Sequence, residues 1–417
     1  MKRIKIKGNN VLSGTIKISG AKNSAVALIP ASILSDDVVT LDNVPNISDI
    51  DALNEILMYL GAKVKRNKST MSIDSSTIEN KEILESNSKK LRASYYFMGA
   101  LLGKYKKAVM YFPGGCSIGV RPIDLHLKGF EALGAKVTNK GNKYTVVADE
   151  LKGANIYLDI ASVGATINIM LAAVKAKGKT VIDNAAKEPE IVNVATFLNN
   201  MGARITGAGT STIKITGVEH LHGCFNEVIP DRIEAGTYII MGALCGKNLK
   251  IENIIPEHLD SVLSKLVEIG CDLKVDDNSV TISMVDEYKP TNIKTLVYPG
   301  FPTDLQQPFT VLLTHCNGKS KVTETIWENR FMHIPYLCNM GADITVKNQT
   351  ATIIGPTVLS GTEVVATDLR AGAAMVLAAL KASGTTTILN VEHILRGYEN
   401  IIEKLEKVGA KIVLEEI

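Results

Sequence analysis

The pentapeptide Leu60-Gly61-Ala62-Lys63-Val64 decides the fold, because close variants of it recur at regular intervals along the whole chain. An apolar residue, a glycine, a small residue, one variable residue and a strand-forming residue recur around six glycines: Gly61, Gly134, Gly202, Gly270, Gly341 and Gly409. The intervals between these glycines are 73, 68, 68, 71 and 68 residues. Each glycine ends an amphipathic stretch and precedes a β-branched one, which predicts a helix C-cap followed by a strand. The 417 residues are therefore predicted to form six units of about 70 residues each.

A second recurrent sequence pattern has the same spacing along the chain as the first. It is a helix rich in small residues followed by a turn and a short strand, and four copies of it end in asparagine, at Asn43, Asn184, Asn253 and Asn390. Residues 93–113 and 305–325 carry weaker versions with the same order of elements. Each unit is thus predicted to run helix, strand, helix, glycine turn and then two strands, which is an α/β arrangement. Coincidence of a common dipeptide is the alternative, but it would not keep two phrases in step.

The phase of the repeat also places the two ends of the chain together. Only one strand is predicted after Gly409, whereas residues 1–19 are predicted to be strands without a helix of their own. We therefore predict one domain of three units over residues 20–229, and a second domain formed by residues 1–19 together with 230–417. The chain would cross twice between the domains, as in a two-domain hinge around a cleft.

Composition excludes several classes of protein. Apolar residues make up 46% of the chain, enough for a large core, while a net charge of +3 and an aromatic content of 5% argue against a nucleic-acid-binding protein. The longest apolar runs are about ten residues, well short of the roughly 18 needed to cross a membrane. The basic N-terminus is followed by no apolar segment of the secretory type, so a cytoplasmic protein is expected. The six cysteines form no CxxC pair and are expected to be free thiols.

Charged residues recur where the first helix of each unit is predicted to begin. The six equivalent positions are Lys22, Arg92, Ser162, Arg232, Asp304 and Arg370. A cation at a helix N-terminus opposes the helix dipole but suits the binding of an anion, and solvated surface cations are the alternative at any one position. Arginines are also predicted to begin the second helix of three units, at Arg121, Arg330 and Arg396. If these ends converge, they form a strongly cationic site for phosphates and carboxylates.

Two further residues carry reactive groups. Asp304 is a carboxylate where the sister units have a cation or a hydroxyl, which suits a general base held ionised by neighbouring arginines. An N-cap aspartate is the alternative. Cys116 lies in the glycine-rich segment Pro113-Gly-Gly-Cys116, where a thiol beside cations would have a depressed pKa and act as an acid or nucleophile. An inert free thiol is the alternative for this cysteine, and it is the expectation for the other five.

A set of motifs resembles a known family. The motifs are GAKNS at residues 20–24, PGGC at 113–116, RPIDLH at 121–126, SVGAT at 162–166, PTD at 302–304, ENRF at 328–331, DLR at 368–370 and LRG at 395–397. Together they resemble the UDP-N-acetylglucosamine enolpyruvyl transferases (1-carboxyvinyltransferases) of the EPSP synthase family, and the resemblance covers essentially the whole chain. The sister enzymes, the EPSP synthases, share the sixfold repeat but lack the PGGC loop.

The resemblance implies a fold and an activity. The fold would be α/β, with two inside-out α/β barrel domains of three repeats each, helices inside and sheets outside. The activity would be transfer of the enolpyruvyl group of phosphoenolpyruvate to the 3′-hydroxyl of UDP-N-acetylglucosamine with release of phosphate. This is the first committed step of peptidoglycan synthesis, which serves cell-wall biogenesis, cell shape and cell division. It would need no metal and no organic cofactor, and its partners would be these two small molecules, with neither nucleic acid nor membrane.

The resemblance also assigns roles to residues by motif. Cys116 would be the proton donor or act in product release, Asp304 the base, and Lys22 and Arg396 further catalytic residues. Phosphoenolpyruvate would be bound by Lys22, Asn23, Arg121, Arg330, Arg370 and Arg396. UDP-N-acetylglucosamine would be bound by Asn23, Arg92, Arg121, Pro122, Ile123, Asp124, Leu125, His126, Ser162, Val163, Gly164, Asp304 and Ile326. Ile160 departs from some members, which have a lysine there near the diphosphate. Cys116 implies sensitivity to the epoxide fosfomycin.

Two alternatives to this assignment remain at the level of the sequence. One is a transferase that acts on shikimate 3-phosphate, as the sister enzyme does. The other is a paralogue that binds the sugar nucleotide without turnover, against which the intact set of Cys116, Asp304 and the arginines argues.

Overall fold

A computed structural model describes residues 2–111 and 122–416. The predicted site residues Cys116 and Arg121 lie outside the described residues. The described chain forms two compact units. The first contains residues 20–111 and 122–229, and the second contains residues 2–19 and 230–416.

The strands in chain order are β1 (Lys2–Lys7), β2 (Leu12–Lys17), β3 (Val39–Asp42), β4 (Lys63–Asn67), β5 (Thr70–Asp74), β6 (Lys107–Tyr111), β7 (Lys136–Lys140), β8 (Lys143–Val147), β9 (Asn155–Tyr157), β10 (Lys179–Asp183), β11 (Arg204–Thr206), β12 (Thr212–Thr216), β13 (Phe225–Glu227), β14 (Gly246–Glu252), β15 (Asp272–Asp276), β16 (Ser279–Ser283), β17 (Asn292–Lys294), β18 (Gly318–Thr323), β19 (Asp343–Lys347), β20 (Thr350–Gly355), β21 (Glu363–Val365), β22 (Thr385–Leu389) and β23 (Ile412–Glu416).

The α-helices are α1 (Lys22–Ala31), α2 (Ser48–Leu60), α3 (Glu85–Ser88), α4 (Tyr96–Tyr105), α5 (Asp124–Ala132), α6 (Val163–Ala173), α7 (Pro189–Asn200), α8 (Arg232–Cys245), α9 (Asp260–Glu268), α10 (Thr303–Leu313), α11 (Ile334–Asn339), α12 (Leu369–Lys381), α13 (Glu392–Leu395) and α14 (Ile401–Lys407). Short 3₁₀ helices span Ser32–Leu34, Arg92–Tyr95 and Pro256–Leu259.

Both units are built from sheets of one pattern. The first unit contains the sheets β13-β3-β5-β4, β6-β8-β7 and β11-β12-β10-β9, and the second contains β15-β16-β14-β2, β17-β18-β20-β19 and β21-β22-β1-β23. In five of these sheets a strand runs parallel to the strand that follows the first helix of the unit, and the remaining pairs are antiparallel. In the β6 sheet a parallel bridge between Ile83 and Met110 stands in its place. The two N-terminal strands join sheets of the second unit, β1 beside β22 and β23, and β2 beside β14.

The glycines of the repeat occupy the conformation that the sequence predicts. All six have a positive φ, between 94° and 109°. This is the left-handed region in which a side chain is unfavourable and glycine is not, so each glycine ends a helix and turns the chain into the next strand. The prediction of glycine C-caps is confirmed.

The first helix of each unit is buried on nearly every side. In α6 every residue from Ala165 to Ala173 is buried, and in α12 every residue from Arg370 to Leu380 is buried. Within the first unit α4 packs against α1 and α6, and within the second unit α8, α10 and α12 pack on one another. The sheets lie outside these helices, so the predicted inside-out α/β fold is confirmed. Close approach requires small residues, since a Cβ on Gly99 of α4 would lie 2.3 Å from the carbonyl oxygen of Asn168 in α6.

The structure departs from the sequence prediction in two respects. A short parallel strand precedes the first helix in most units, and four of these strands, β9, β13, β17 and β21, have only three residues each. Neither Arg330 nor Arg396 begins a helix, because Arg330 lies in the loop before α11 and Arg396 directly follows α13. No helix in the described ranges combines the length and apolarity that a membrane span requires.

Candidate functional site

The carboxylate of Asp304 lies between two arginines of the second unit. Arg330 Nη2 donates to Asp304 Oδ1 at 2.6 Å, and Arg370 Nη2 donates to Asp304 Oδ2 at 3.3 Å. The side chain of Asp304 is 27% exposed, while those of Arg330 and Arg370 are 3% and 6% exposed. Asp304 is the second residue of α10, and Pro302 is the N-cap, so the alternative of an N-cap aspartate is wrong. Instead, each oxygen of the Asp304 carboxylate accepts a hydrogen bond from one of the two guanidinium groups.

A directed chain of hydrogen bonds fixes the other end of Arg370. Its Nη1 donates to Tyr398 Oη at 3.2 Å, and Tyr398 Oη lies 3.0 Å from Thr237 Oγ1. Thr237 Oγ1 donates its own hydrogen to the carbonyl oxygen of Ile233 at 2.8 Å, so the hydrogen between the two hydroxyls belongs to Tyr398. Burial raises the pKa of Tyr398, which keeps this donor protonated. The chain therefore holds the guanidinium of Arg370 in one orientation.

The backbone around the two arginines is held by side chains of the same unit. The carbonyl oxygen of Arg330 accepts hydrogen bonds from Gln306 Nε2 at 3.0 Å and from Gln307 Nε2 at 3.2 Å, and both glutamines belong to α10. Asp368 caps α12, since its Oδ1 accepts from the amides of Arg370 at 2.8 Å and Ala371 at 3.0 Å. Asp304, Arg330 and Arg370 thus sit on segments that packing and hydrogen bonds fix together.

In the first unit, Lys22 is paired with a buried carboxylate. Lys22 begins α1, and its Nζ lies 2.6 Å from Oδ2 of Asp49, the second residue of α2. The Asp49 side chain is 5% exposed, and that of Lys22 is 12% exposed. Asn23 follows in α1 and is partly buried. Next to it, the buried Ser24 hydroxyl bonds to Asn193 Oδ1 of α7. The ammonium group is therefore held in place before any substrate binds.

Two predicted residues, His126 of α5 and Gly164 of α6, lie close together in the first unit. Asn168 of α6 accepts the Gly99 amide hydrogen at its Oδ1 (2.8 Å), so its Nδ2 must be the donor to the Tyr95 carbonyl and to His126 Nδ1, both at 2.9 Å. His126 Nδ1 is an acceptor in this arrangement, and the proton of the neutral ring lies on Nε2. Burial, with a smaller effect of the Arg92 charge, lowers the pKa of His126 to about 3. The Nε2 atom faces the start of α6, where a Cβ on Gly164 would lie 3.1 Å from it.

The remaining predicted binding residues are spread over both units. Ser162 is the N-cap of α6 and accepts the Ala165 amide hydrogen at 3.3 Å, and Val163 begins the helix. Pro122 and Asp124 are exposed, Ile123 is buried, and Leu125, Arg92 and Arg396 are partly buried. Ile326 lies after β18, and its amide donates to Glu324 Oε1 at 2.8 Å. The described structure therefore brings Asp304, Arg330 and Arg370 into direct contact, and it groups Gly164 with His126.

The described cysteines behave as the sequence predicts, whereas Cys116 is not described. Cys224, Cys245, Cys271, Cys316 and Cys338 are free thiols. Burial raises the pKa of Cys224 to about 11 and that of Cys245, Cys271 and Cys316 to about 12. These four thiols hold their protons at neutral pH and are poor nucleophiles.

Comparison with known proteins places the chain in a family. Residues 6–405 match the family model of EPSP synthase (3-phosphoshikimate 1-carboxyvinyltransferase). The chain belongs to this family. It is 57% identical over 410 residues to UDP-N-acetylglucosamine 1-carboxyvinyltransferase 2 of Listeria monocytogenes serovar 1/2a, covering 98% of this chain and 97% of the relative. It is 56% identical over 418 aligned positions to the protein of the same name from Bacillus cereus, covering 100% of this chain and 97% of the relative.

Two solved structures have the same fold. The enolpyruvyl transferase NikO from Streptomyces tendae superposes with a TM-score of 0.90 at 27% identity, over 99% of this chain and 98% of that one. EPSP synthase from Acinetobacter baumannii superposes with a TM-score of 0.77 at 18% identity, over the full length of both chains. The family and the fold predicted from the motifs are confirmed.

Sequence reasoning missed several residues that hold the side chains of predicted site residues. Asp49, Asn168, Thr237 and Tyr398 each bond to a predicted site residue or to the chain of hydrogen bonds behind it, yet none lies in a motif of its own. Asp49 had one indication in the sequence, an acidic residue in the first turn of a predicted helix, but capping of that helix explains it equally well. The other three are recognisable only from contacts between distant parts of the chain.

The tautomer of His126 is open to direct measurement. We expect ¹⁵N-histidine NMR spectra to show a neutral ring protonated on Nε2 throughout pH 5–8, because burial disfavours the charged form and Asn168 donates to Nδ1. A His126→Gln variant assigns the signal by its disappearance. Protonation on Nδ1, or a titration midpoint near about 6.5 as in an unperturbed histidine, would contradict the arrangement.

Proposed function

We propose that the chain transfers the enolpyruvyl group of phosphoenolpyruvate to the 3′-hydroxyl of UDP-N-acetylglucosamine and releases inorganic phosphate. The hydroxyl oxygen would attack C2 of phosphoenolpyruvate while C3 takes up a proton. The tetrahedral intermediate would then lose a proton from C3 and the phosphate from C2, which restores the double bond in the product. The same proposal places the reaction in the cytoplasm, at the first committed step of peptidoglycan synthesis, and thereby in cell-shape maintenance and cell division.

The observation that carries this proposal is the Asp304 carboxylate between two buried guanidinium groups, in a chain 57% identical to a protein named for this reaction. The arginines stabilise the ionised carboxylate, which can accept the proton of the attacking hydroxyl. Because the two arginines are themselves fixed by Tyr398, Gln306 and Gln307, the carboxylate keeps its position without reorganisation.

The cations of both units suit a substrate that carries a phosphate and a carboxylate. We assign Lys22, Arg121 and Arg396 to the phosphate of phosphoenolpyruvate, and Arg330 and Arg370 to its carboxylate. Asn23 is assigned to phosphoenolpyruvate as well as to the sugar nucleotide. Permanent cations are required because phosphoenolpyruvate is highly anionic. Its negative charge must be stabilised while C3 is protonated. The buried Lys22–Asp49 pair supports this role, since it orients an ammonium group at the start of α1.

The sugar nucleotide is assigned to the residues that start α5 and α6 and to the loop after β18. Arg92, Arg121, Pro122, Ile123, Asp124, Leu125, His126, Ser162, Val163, Gly164, Ile326, Asn23 and Asp304 make up this set. The neutral Nε2–H donor of His126 and the N-cap of α6 support it, because both offer groups that favour polar or anionic ligands. Ile160 is 67% exposed and contributes no charge to a bound diphosphate.

Release of phosphate tests the proposed function. The purified chain is expected to release inorganic phosphate from phosphoenolpyruvate when UDP-N-acetylglucosamine is present, and to release none with either substrate alone. Shikimate 3-phosphate serves as the second acceptor in the same assay. Release only with shikimate 3-phosphate would assign the chain to the sister activity, and tight binding of the sugar nucleotide without turnover would make it a binding protein.

Replacement of Asp304 separates turnover from binding. Asp304→Ala is expected to lower kcat by at least about 100-fold, the usual contribution of a general base, while the Kd for UDP-N-acetylglucosamine changes much less. Asp343→Asn is the control, because this exposed carboxylate begins β19. Circular dichroism should accompany the assay, since removal of Asp304 leaves Arg330 and Arg370 without their carboxylate partner. Normal turnover by Asp304→Ala would remove its role as the base.

Cys116 is assigned as the proton donor to C3, or as a residue of product release, and as the target of fosfomycin. Fosfomycin would form a thioether when the thiolate opens the epoxide ring. Mass spectrometry is expected to find one adduct on Cys116 in the wild type and none in Cys116→Asp, because burial raises the pKa of four other thiols. Cys338 is exposed and Cys338→Ser is the matched control. An adduct on Cys338, or inactivation of Cys116→Asp, would assign the reactive thiol elsewhere.

A further inference from the structure

The residue directly after the strand that follows the first helix can be compared in five of the six units, since in the second unit it is Phe112, outside the described residues. Four of these five units have asparagine there, and the fifth unit has a different residue. Asn43, Asn184, Asn253 and Asn390 directly follow β3, β10, β14 and β22, and all four have φ between 55° and 60°. Glu324 directly follows β18 and takes the equivalent place. The strand registers establish the equivalence, because Asp183 pairs with Tyr157 at the end of β9 just as Thr323 pairs with Lys294 at the end of β17.

Three of the asparagines, Asn43, Asn184 and Asn253, have a common structural task. Asn184 Nδ2 donates to the carbonyl oxygen of Leu158 at 2.7 Å, and Asn43 and Asn253 donate to those of Val228 and Ile18 at 2.8 Å. Each accepting residue directly follows the short parallel strand of its sheet. The asparagine thus ties the end of the short strand to the end of its neighbour.

In the fifth unit another residue performs this task. The carbonyl oxygen of Thr295, which follows β17, accepts a hydrogen bond from Thr325 Oγ1. A glutamate could not donate to that carbonyl, so the hydroxyl of the next residue replaces the asparagine amide. Glu324 is therefore not needed to tie the two strands together.

The carboxylate of Glu324 is completely buried. It accepts hydrogen bonds from Thr295 after β17, from the start of α10 and from the loop after β18. Its Oε1 accepts from Thr295 Oγ1 and the Ile326 amide, both at 2.8 Å, and from the Trp327 amide at 3.3 Å. Its Oε2 accepts from Thr303 Oγ1 at 2.8 Å. Thr303 is the first residue of α10 and directly precedes Asp304, while Ile326 and Trp327 begin the loop that leads to Arg330.

We propose that Glu324 is a positioning residue that holds the start of α10, and with it Asp304, in register with the loop that carries Arg330. This inference rests on the proposed function, in which Asp304 is the base. Burial of a carboxylate has a desolvation cost. The four hydrogen bonds that Glu324 accepts offset this cost only when all four donors are in place. Glu324 thereby couples the position of Asp304 to that of its partner Arg330.

Two threonine variants test the inference as a matched pair. Thr303→Val and Thr295→Val each remove one hydroxyl bond of 2.8 Å to the same carboxylate, and Thr295→Val also removes the acceptor of the Thr325 amide, but only Thr303 is adjacent to Asp304. We expect Thr303→Val to lower kcat for phosphate release by about 10-fold or more, with KM for both substrates within about 3-fold, because a misplaced catalytic group costs rate. Thr295→Val should lower kcat by less than about 3-fold. Equal kcat values in the two variants would overturn the inference.

Variants of Glu324 itself supply the rescue test. In Glu324→Gln the amide oxygen can still accept from Thr295, Ile326 and Trp327, and the NH₂ group can donate to the hydroxyl of Thr303. We expect this variant to keep kcat within about 3-fold of the wild type and Glu324→Ala to lose at least about 10-fold. Equal loss in both would overturn the inference, and the threonine pair decides it if Glu324→Ala fails to fold. Absence of phosphate release by the wild type would instead overturn the proposed function, and with it the inference, whereas release with an inert Thr303→Val overturns the inference alone.

Discussion

Burial of the first helix of every unit on nearly all sides constrains where this protein can carry chemistry. A charge in the middle of such a helix would lie in a dry core, where an unpaired ion costs several kcal/mol. The interiors of α6, α8 and α12 are accordingly built mainly from alanine, glycine, isoleucine, leucine and methionine. Only the ends of such a helix reach the edge of the core. The residues that begin these helices are therefore free to differ between units, while the rest of each helix is held to small and apolar types.

Charges at the edge of a core still need partners, and the structure supplies a carboxylate for each of the cations that it holds most deeply. Lys22 is paired with Asp49, and both Arg330 and Arg370 are paired with Asp304. The sequence indicated a strongly cationic site, but at these positions the cations are matched by internal carboxylates. Such pairing fixes the direction of each cation before an anion arrives, so binding does not have to order a flexible side chain. An anionic ligand would share the cations with the carboxylates that already orient them.

Sequence periodicity predicted the parts of the fold that repeat, and it failed where a contact is made once. The glycine turns follow from a local requirement for positive φ at six equivalent places, which a sequence displays directly. The three-residue strands, such as β9, are too short to show an alternating pattern. Thr237 and Tyr398 are 161 residues apart, and nothing near either one indicates that their hydroxyls meet beside Arg370. Arg330 and Arg396 were misplaced because the repeat argument assumed that all second helices begin alike, whereas Arg330 lies in the loop before α11 and Arg396 follows the short helix α13. The placements of Cys116 and Arg121 stay predictions.

The fifth unit shows how a repeat can acquire a role that its sisters lack. Asp304 stands where the sister units have a cation or a hydroxyl at the helix start, and Glu324 stands where four of them have asparagine after the strand that follows the first helix. The second change alone would break a hydrogen bond that recurs between units, and Thr325 restores that bond. Glu324 does not tie the two strands together, yet it is completely buried, which has a desolvation cost. Its burial is therefore explained by another role. Its bond to Thr303 supplies one, because that hydroxyl belongs to the residue next to Asp304. The two departures are thus physically connected: one introduces the carboxylate at the helix start, and the other anchors the turn of backbone that presents it.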